Sequence, residues 1–264
     1  MALPRFFCPI PLTSNSLITL PREAAHHAGR SLRLREGTRI VLFNGEGGEY
    51  QGTLRFNQGI AQAEIDSFCP DNRTLTGKIT LIQALASGDK MDWIIEKAVE
   101  IGVDCFIPVA AERSVLQLSG ARLEKRQQHW QSIIQSACEQ SGRNILMELL
   151  PVQTLKQVLE AIKQTLFKSN TINPENSASD TPAQSLLFIA HPDGNLSLSQ
   201  YLRQTPKVQH IGFFIGPEGG WSEKEIQTME HSQAIKVQFG DRVLRTETAG
   251  LALSSASAAL LQWV

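Results

Sequence analysis

Residues 211–225 read IGFFIGPEGGWSEKE. Residues 211–215 form a short apolar run with the length and composition of a buried strand. The run breaks at Gly216-Pro217-Glu218-Gly219-Gly220. A helix is expected at once, because Ser222 is followed three positions later by Glu225, a capping-box signature. Strand, glycine-rich turn and capped helix together present bare backbone amides at the carboxyl end of a sheet, where α/β proteins bind ligands. The same residues also satisfy an ordinary tight turn from strand to helix. They lack the Lys-Ser/Thr of a phosphate loop and the spacing of a dinucleotide fingerprint.

A second break lies at 239–250, FGDRVLRTETAG, between a strand-like run at 235–239 and a final helix. The pairing of GPEGG with LRTETA resembles the signature of the RsmE-type 16S ribosomal RNA uridine methyltransferases of the SPOUT, or α/β-knot, superfamily. The resemblance implies an α/β fold with two parts. The C-terminal part is a SPOUT domain, with a parallel sheet and a deep trefoil knot in which the chain after Gly240 threads the loop around 216–221. The N-terminal part is a small PUA-like β-barrel. Phe239 departs conservatively from the leucine usual in the family, and the resemblance fails only across 168–185.

The bulk properties point to a soluble, cytoplasmic protein. At 264 residues the chain is long enough for two cores. With 25 Lys+Arg against 26 Asp+Glu, any nucleic-acid binding must come from local basic patches. Cys8, Cys69, Cys105 and Cys138 are scattered without a CxxC pair, so reduced thiols and no metal site are expected. No secretory segment is expected at 1–11, and the run at 249–264 is too short and serine-rich for a membrane span.

Short strand-sized runs dominate the start of the chain, at 5–10, 38–43, 50–56 and 60–65, with glycines 45, 47 and 48 marking a hairpin and a helix expected over 22–35. Arg30, Arg33 and Arg35 read either as a solvated helix face or as a binding patch. The resemblance places the RNA-binding PUA-like module here, on the pattern running from His26 to FNGEGGEY. Polar residues 70–76 make a linker, dividing the chain into domains 1–72 and 73–264. Strands and helices then alternate, with strands at 79–86, 105–109, 146–152 and 186–190 and helices at 89–101, 122–143 and 154–167. That rhythm implies a parallel sheet covered on both faces. Residues 168–185, rich in asparagine and serine, read as a surface insertion. Trp93 and Trp130 read as core or interface residues.

The resemblance also assigns the site. It implies S-adenosyl-L-methionine held between Gly216, Glu218, Gly219 and Gly220 on one wall and Gly240, Val243, Leu244 and Thr246 on the other, with His191 beside them. His191 reads equally as a plain loop histidine. Methylation of uridine N3 requires loss of a proton, so a base or an anion-stabilising charge is needed. Arg245 is the candidate for the charge, and Glu247 or Glu218 for the base, although Glu247 also fits a helix-start cap. The ERS and EQSGR segments suggest RNA contacts from Arg113, Glu139 and Arg143. The expected partners are 16S ribosomal RNA, within the small subunit, and a second copy of the chain. The apolar terminus at Leu260, Leu261, Trp263 and Val264 motivates the homodimer. A ribose 2′-O-methyltransferase and a non-catalytic RNA-binding scaffold are the competing readings.

Overall fold

The structure is a computed structural model and describes residues 3–166, 184–194, 196–205 and 207–264. Most of the expected insertion at 168–185 lies outside the described residues; Gln184 and Ser185 begin a strand. The chain divides into two compact units, Met1–Thr74 with Ile134–Leu146, and Leu75–Ile133 with Met147–Val264. The segment 134–146, which the sequence left with the second domain, therefore groups with the first.

The first unit is a five-stranded sheet, β1 (Arg5–Phe7), β2 (Ser16–Thr19), β3 (Arg39–Phe43), β4 (Glu49–Asn57) and β5 (Ile60–Cys69), in the order β1-β3-β4-β5-β2. All ladders are antiparallel except β1 on β3. Alternation along β4 and β5 turns Leu54, Ala63 and Ile65 inward onto Phe6, Ile40 and Leu42. The single helix expected over 22–35 is shorter. It is α1 (Arg22–His26) followed by a π-helical turn, His27–Ser31. Wide bonds from Leu32 N to His27 O and from Leu34 N to Ala28 O (both 2.9 Å) unwind it, and Arg33 takes the left-handed position at φ 51°.

A buried polar network joins 134–146 to the strands of this unit. Arg5 donates to Glu49 (2.5 Å), to the Gly142 carbonyl (3.1 Å) and to Asn144 (2.5 Å). Asn144 donates to the Asp71 carbonyl (2.5 Å), and the Phe7 N–H donates to Glu139 (2.8 Å).

The second unit is an all-parallel sheet. Its strands are β6 (Lys78–Ala84), β7 (Cys105–Ala110), β8 (Glu148–Leu149), β9 (Gln153–Thr154), β10 (Gln184–Ala190), β11 (Leu196–Ser197), β12 (Val208–Ile215) and β13 (Ile235–Gln238). Their order is β11-β13-β10-β12-β6-β7-β8, with β9 also on β7. The strand expected at 146–152 is reduced to β8 and β9, because Pro151 between them has no N–H for a ladder.

The helices are α2 (Lys90–Glu100), α3 (Gly120–Ser141), α4 (Leu155–Leu166), α5 (Leu198–Gln204), α6 (Glu223–His231) and α7 (Thr246–Leu260). One sheet face, bearing Ile82, Leu187 and Phe214, packs on Val158 and Leu159 of α4 and Ile226 and Met229 of α6. The opposite face receives α7. A Cβ on Gly250 would come within 2.7 Å of Leu81 and 3.2 Å of Ile215, so only glycine lets the helix lie this close. Trp130 is fully buried and its indole donates to Asp92 (3.0 Å), whereas Trp93 is exposed. Burial pushes the thiols of Cys8 and Cys105 up to about 12, with Glu139 and Glu148 adding to it, so neither is a ready nucleophile. Among the described residues, no helix is long and apolar enough to cross a membrane and no cluster of ligating side chains could hold a metal ion.

Candidate active site

Because the sheet is parallel, β6, β10, β12 and β13 all end at one edge, and the loops leaving them surround a cavity of about 640 Å³. The sequence-predicted residues His191, Gly216, Glu218, Gly219, Gly220, Val243, Leu244, Arg245, Thr246 and Glu247 all line it. Gly240 lines the adjoining recess with Phe239 and Leu253, which shares His191, Val243 and Leu244.

The turn after β12 is built by bonds from three directions. Thr246 Oγ1, on the first residue of α7, donates to the Gly216 carbonyl at 2.6 Å. Gln83 Nε2, at the end of β6, donates to the same Thr246 oxygen at 3.0 Å. Arg113 Nη1 donates to the carbonyls of Gly219 (3.2 Å) and Trp221 (3.3 Å). The expected capping box is present: Ser222 Oγ accepts from Glu225 N (3.2 Å), and Glu225 Oε2 accepts from Ser222 N (2.8 Å). The other oxygen of Glu225 accepts from Glu112 N at 2.9 Å, tying the loop after β7 to α6.

The glycines of the two walls do different work. Gly220 (φ 67°) and Gly240 (φ 70°) occupy left-handed backbone, and a Cβ on either would enter open space. Gly219 instead packs beneath Arg113, whose Cβ would lie 3.3 Å from a Cβ at that position.

Four charged groups, Glu218, Lys90, Glu247 and Arg245, meet in the cavity, with His191 beside them. Glu218 Oε1 accepts from Ser87 N (3.0 Å), Ser87 Oγ (2.6 Å) and Lys90 Nζ (2.9 Å). Desolvation alone would raise the Glu218 pKa, but the bonds from Ser87 and Lys90 outweigh it and hold the group at about 2. Lys90 also approaches Glu247 Oε2 at 3.6 Å, and Arg245 Nη1 lies 3.9 Å from Glu247 Oε1. Glu247 is mostly buried, and its Oε2 accepts no hydrogen bond. His191 Nδ1 accepts from the Asp193 N–H at 3.1 Å, so the neutral ring carries its proton on Nε2.

The expected RNA contacts separate into two groups. Arg30, Arg33 and Arg35 are exposed on the first unit. Glu139 is committed to Phe7 and lies 3.5 Å from His27, and Arg143 is only 3% exposed. The EQSGR segment is therefore an internal fastening of the first unit rather than a solvated helix end. Arg113 is exposed, but its guanidinium clamps the turn at 216–221. Sequence reasoning passed over Ser87, Lys90 and Gln83, since none belongs to a motif. It also passed over α5, which had a usable signal: Ser197 and Gln200 form a second capping box.

A parallel sheet with a glycine-walled cavity at its carboxyl edge places the chain in a class, and comparison with known proteins names it. The chain belongs to the RNA methyltransferase family, whose domain model matches residues 73–258, while the RNA methyltransferase PUA domain matches 20–64. It is similar to ribosomal RNA small subunit methyltransferase E of Bacillus subtilis, at 30% identity over 241 residues covering 89% of this chain and 87% of that one. The protein of the same name from Buchnera aphidicola (Schizaphis graminum) is 27% identical over 255 residues, covering 96% and 95%. The crystal structure of ribosomal RNA small subunit methyltransferase E from Neisseria gonorrhoeae bound to S-adenosyl methionine superposes with a TM-score of 0.82. It is 33% identical, and the match covers 98% of each chain.

Proposed function

We propose that this protein transfers a methyl group from S-adenosyl-L-methionine to N3 of a uridine in 16S ribosomal RNA of the small subunit. The observation that carries the reading is the cavity itself: two glycine-bearing loops meet at the carboxyl edge of the sheet in a chain of the RNA methyltransferase family. The cofactor fits what the residues offer. Gly220 and Gly240 leave open the space that side chains would fill, and the cavity is large enough for a nucleoside with an amino-acid tail. Gly216, Gly219, Gly220, Gly240, Leu244 and Thr246 would hold it, with Val243 and His191 covering it. When bound, it supplies a methyl group on a sulfonium, so that the N3–C bond forms as the S–C bond breaks.

The chain's own residues handle the proton and the charge. Glu218, held at about 2, is too weak a base to take the N3 proton. Glu247 is the proton acceptor in this reading. Arg245 has a largely exposed guanidinium beside it and stabilises the uridine anion. Residues 1–72 act as the RNA-binding module, through Arg30, Arg33 and Arg35, and 73–264 as the catalytic one. The functional unit is a homodimer. Exposed Val243, Leu260 and Val264 support this, whereas Trp263 is buried in its own unit and does not contribute. Small subunits lacking the modification, incubated with the protein and labelled cofactor, should acquire label in 16S RNA. Absence of transfer would reject the proposal.

A further inference from the structure

Lys90 is the first residue of α2, where the positive end of the helix dipole disfavours a cation. Local helix chemistry therefore gives no reason for a lysine there. What surrounds it does: Glu218 of the turn after β12 lies at 2.9 Å, and Glu247 in the first turn of α7 at 3.6 Å. We infer that Lys90 is a positioning residue for methyl transfer, joining the two walls of the cavity through one ammonium and keeping the Glu247 carboxylate in place. The inference rests on the methyl-transfer reading above.

The two carboxylates depend on Lys90 to different degrees. Glu218 would keep both Ser87 donors if Lys90 were removed. Glu247 Oε2 has no hydrogen-bond donor, and Lys90 is the cation that faces it; the charged neighbour of the other oxygen is Arg245, at 3.9 Å. Removing Lys90 takes away the cation that faces this carboxylate oxygen, and a nearby cation is what favours an ionised carboxylate. Lys90 itself stays charged: the bond to Glu218 raises its pKa against a smaller opposing effect of desolvation, and Glu247 adds to the rise. The geometry thus separates a binding role from a chemical one. Loss of Lys90 should spare the cofactor turn and damage the step in which Glu247 takes the proton.

The test compares the full-length wild-type protein with Lys90→Met and Lys90→Arg. S-adenosyl-L-methionine affinity is measured by calorimetry without RNA, and single-turnover transfer to unmodified small subunits is measured across pH. For Lys90→Met we expect cofactor affinity within about threefold of wild type and a transfer rate at neutral pH lower by roughly 30-fold or more, with the acidic limb of the rate profile moved upward by about one pH unit. Lys90→Arg should recover most of the rate and restore the limb. In a Glu247→Gln background, Lys90→Met should cost less than about threefold more, because the two residues act as one. Full activity in Lys90→Met, an unmoved acidic limb, or independent losses in the double variant would overturn the inference. If Lys90→Met fails to fold, Lys90→Arg carries the decision, and a displaced limb or lost cofactor affinity there would overturn it. Wild-type protein that binds cofactor but transfers no methyl group would instead reject the underlying reading.

Discussion

The two walls of the cavity are held in different ways. The turn at 216–221 is tied to Thr246 through the Gly216 carbonyl, to Ser87 and Lys90 through Glu218, and to Arg113 through the carbonyls of Gly219 and Trp221. The loop at 239–245 has exposed Asp241, Arg242 and Val243, with Val243 at 76% exposure, and its ion pair runs at 3.9 Å from Arg245 to Glu247. One wall is held by several hydrogen bonds; the other is exposed and lightly tied.

The comparison can be broken most forcefully at the rigid wall. Gly220→Val puts a branched side chain at φ 67° and into the open cavity, and should weaken cofactor binding by about 100-fold or more in calorimetry while the first unit stays folded. Arg113→Ala removes two bonds from a charged donor and should weaken the same binding by about tenfold. On the loose wall, Val243→Ser should cost only about threefold, because an exposed side chain gains little burial until the ligand covers it. A larger loss there than at Arg113 would invert the comparison. Smallest is the effect of Ser222→Ala, which removes a helix cap: about 1 kcal/mol of stability in denaturant unfolding, with cofactor affinity unchanged.

Acid offers a separate handle on the rigid wall. The Glu218 carboxyl is depressed to about 2 in the folded protein from an ordinary value of 4.5. Its contribution to stability is therefore complete above pH 4.5 and disappears as the pH falls through about 2. Glu218→Gln should flatten the pH dependence of unfolding over that window; an unchanged slope would show that Glu218 is not held as described.

Elements set by local chemistry were legible in the sequence. The strand, glycine turn and capped helix read at 211–225 and the β3–β4 hairpin follow from runs, turns and caps that lie close together along the chain. Features made by distant residues were not. Glu139 and Phe7 are 132 positions apart, so a glutamate that looks like a solvated helix end becomes an acceptor for a strand N–H. Lys90 and Glu218 are 128 apart, and no motif contains both. The end of the helix at 22–31 escaped notice because Arg33 takes a left-handed position that glycine ordinarily marks. The same reliance on local pattern placed Trp263 at an exposed apolar terminus, although it packs within 2.0 Å of where a Cβ on Gly77 would sit.

The central claim is that the cavity directs a methyl group to N3 of a uridine. Its most direct test is mass spectrometry of 16S RNA from unmodified small subunits after incubation with the protein and isotopically labelled S-adenosyl-L-methionine. The account predicts one labelled N3-methyluridine, lost with Glu247→Gln. Label on a ribose 2′ oxygen, or on any other base position, would contradict it.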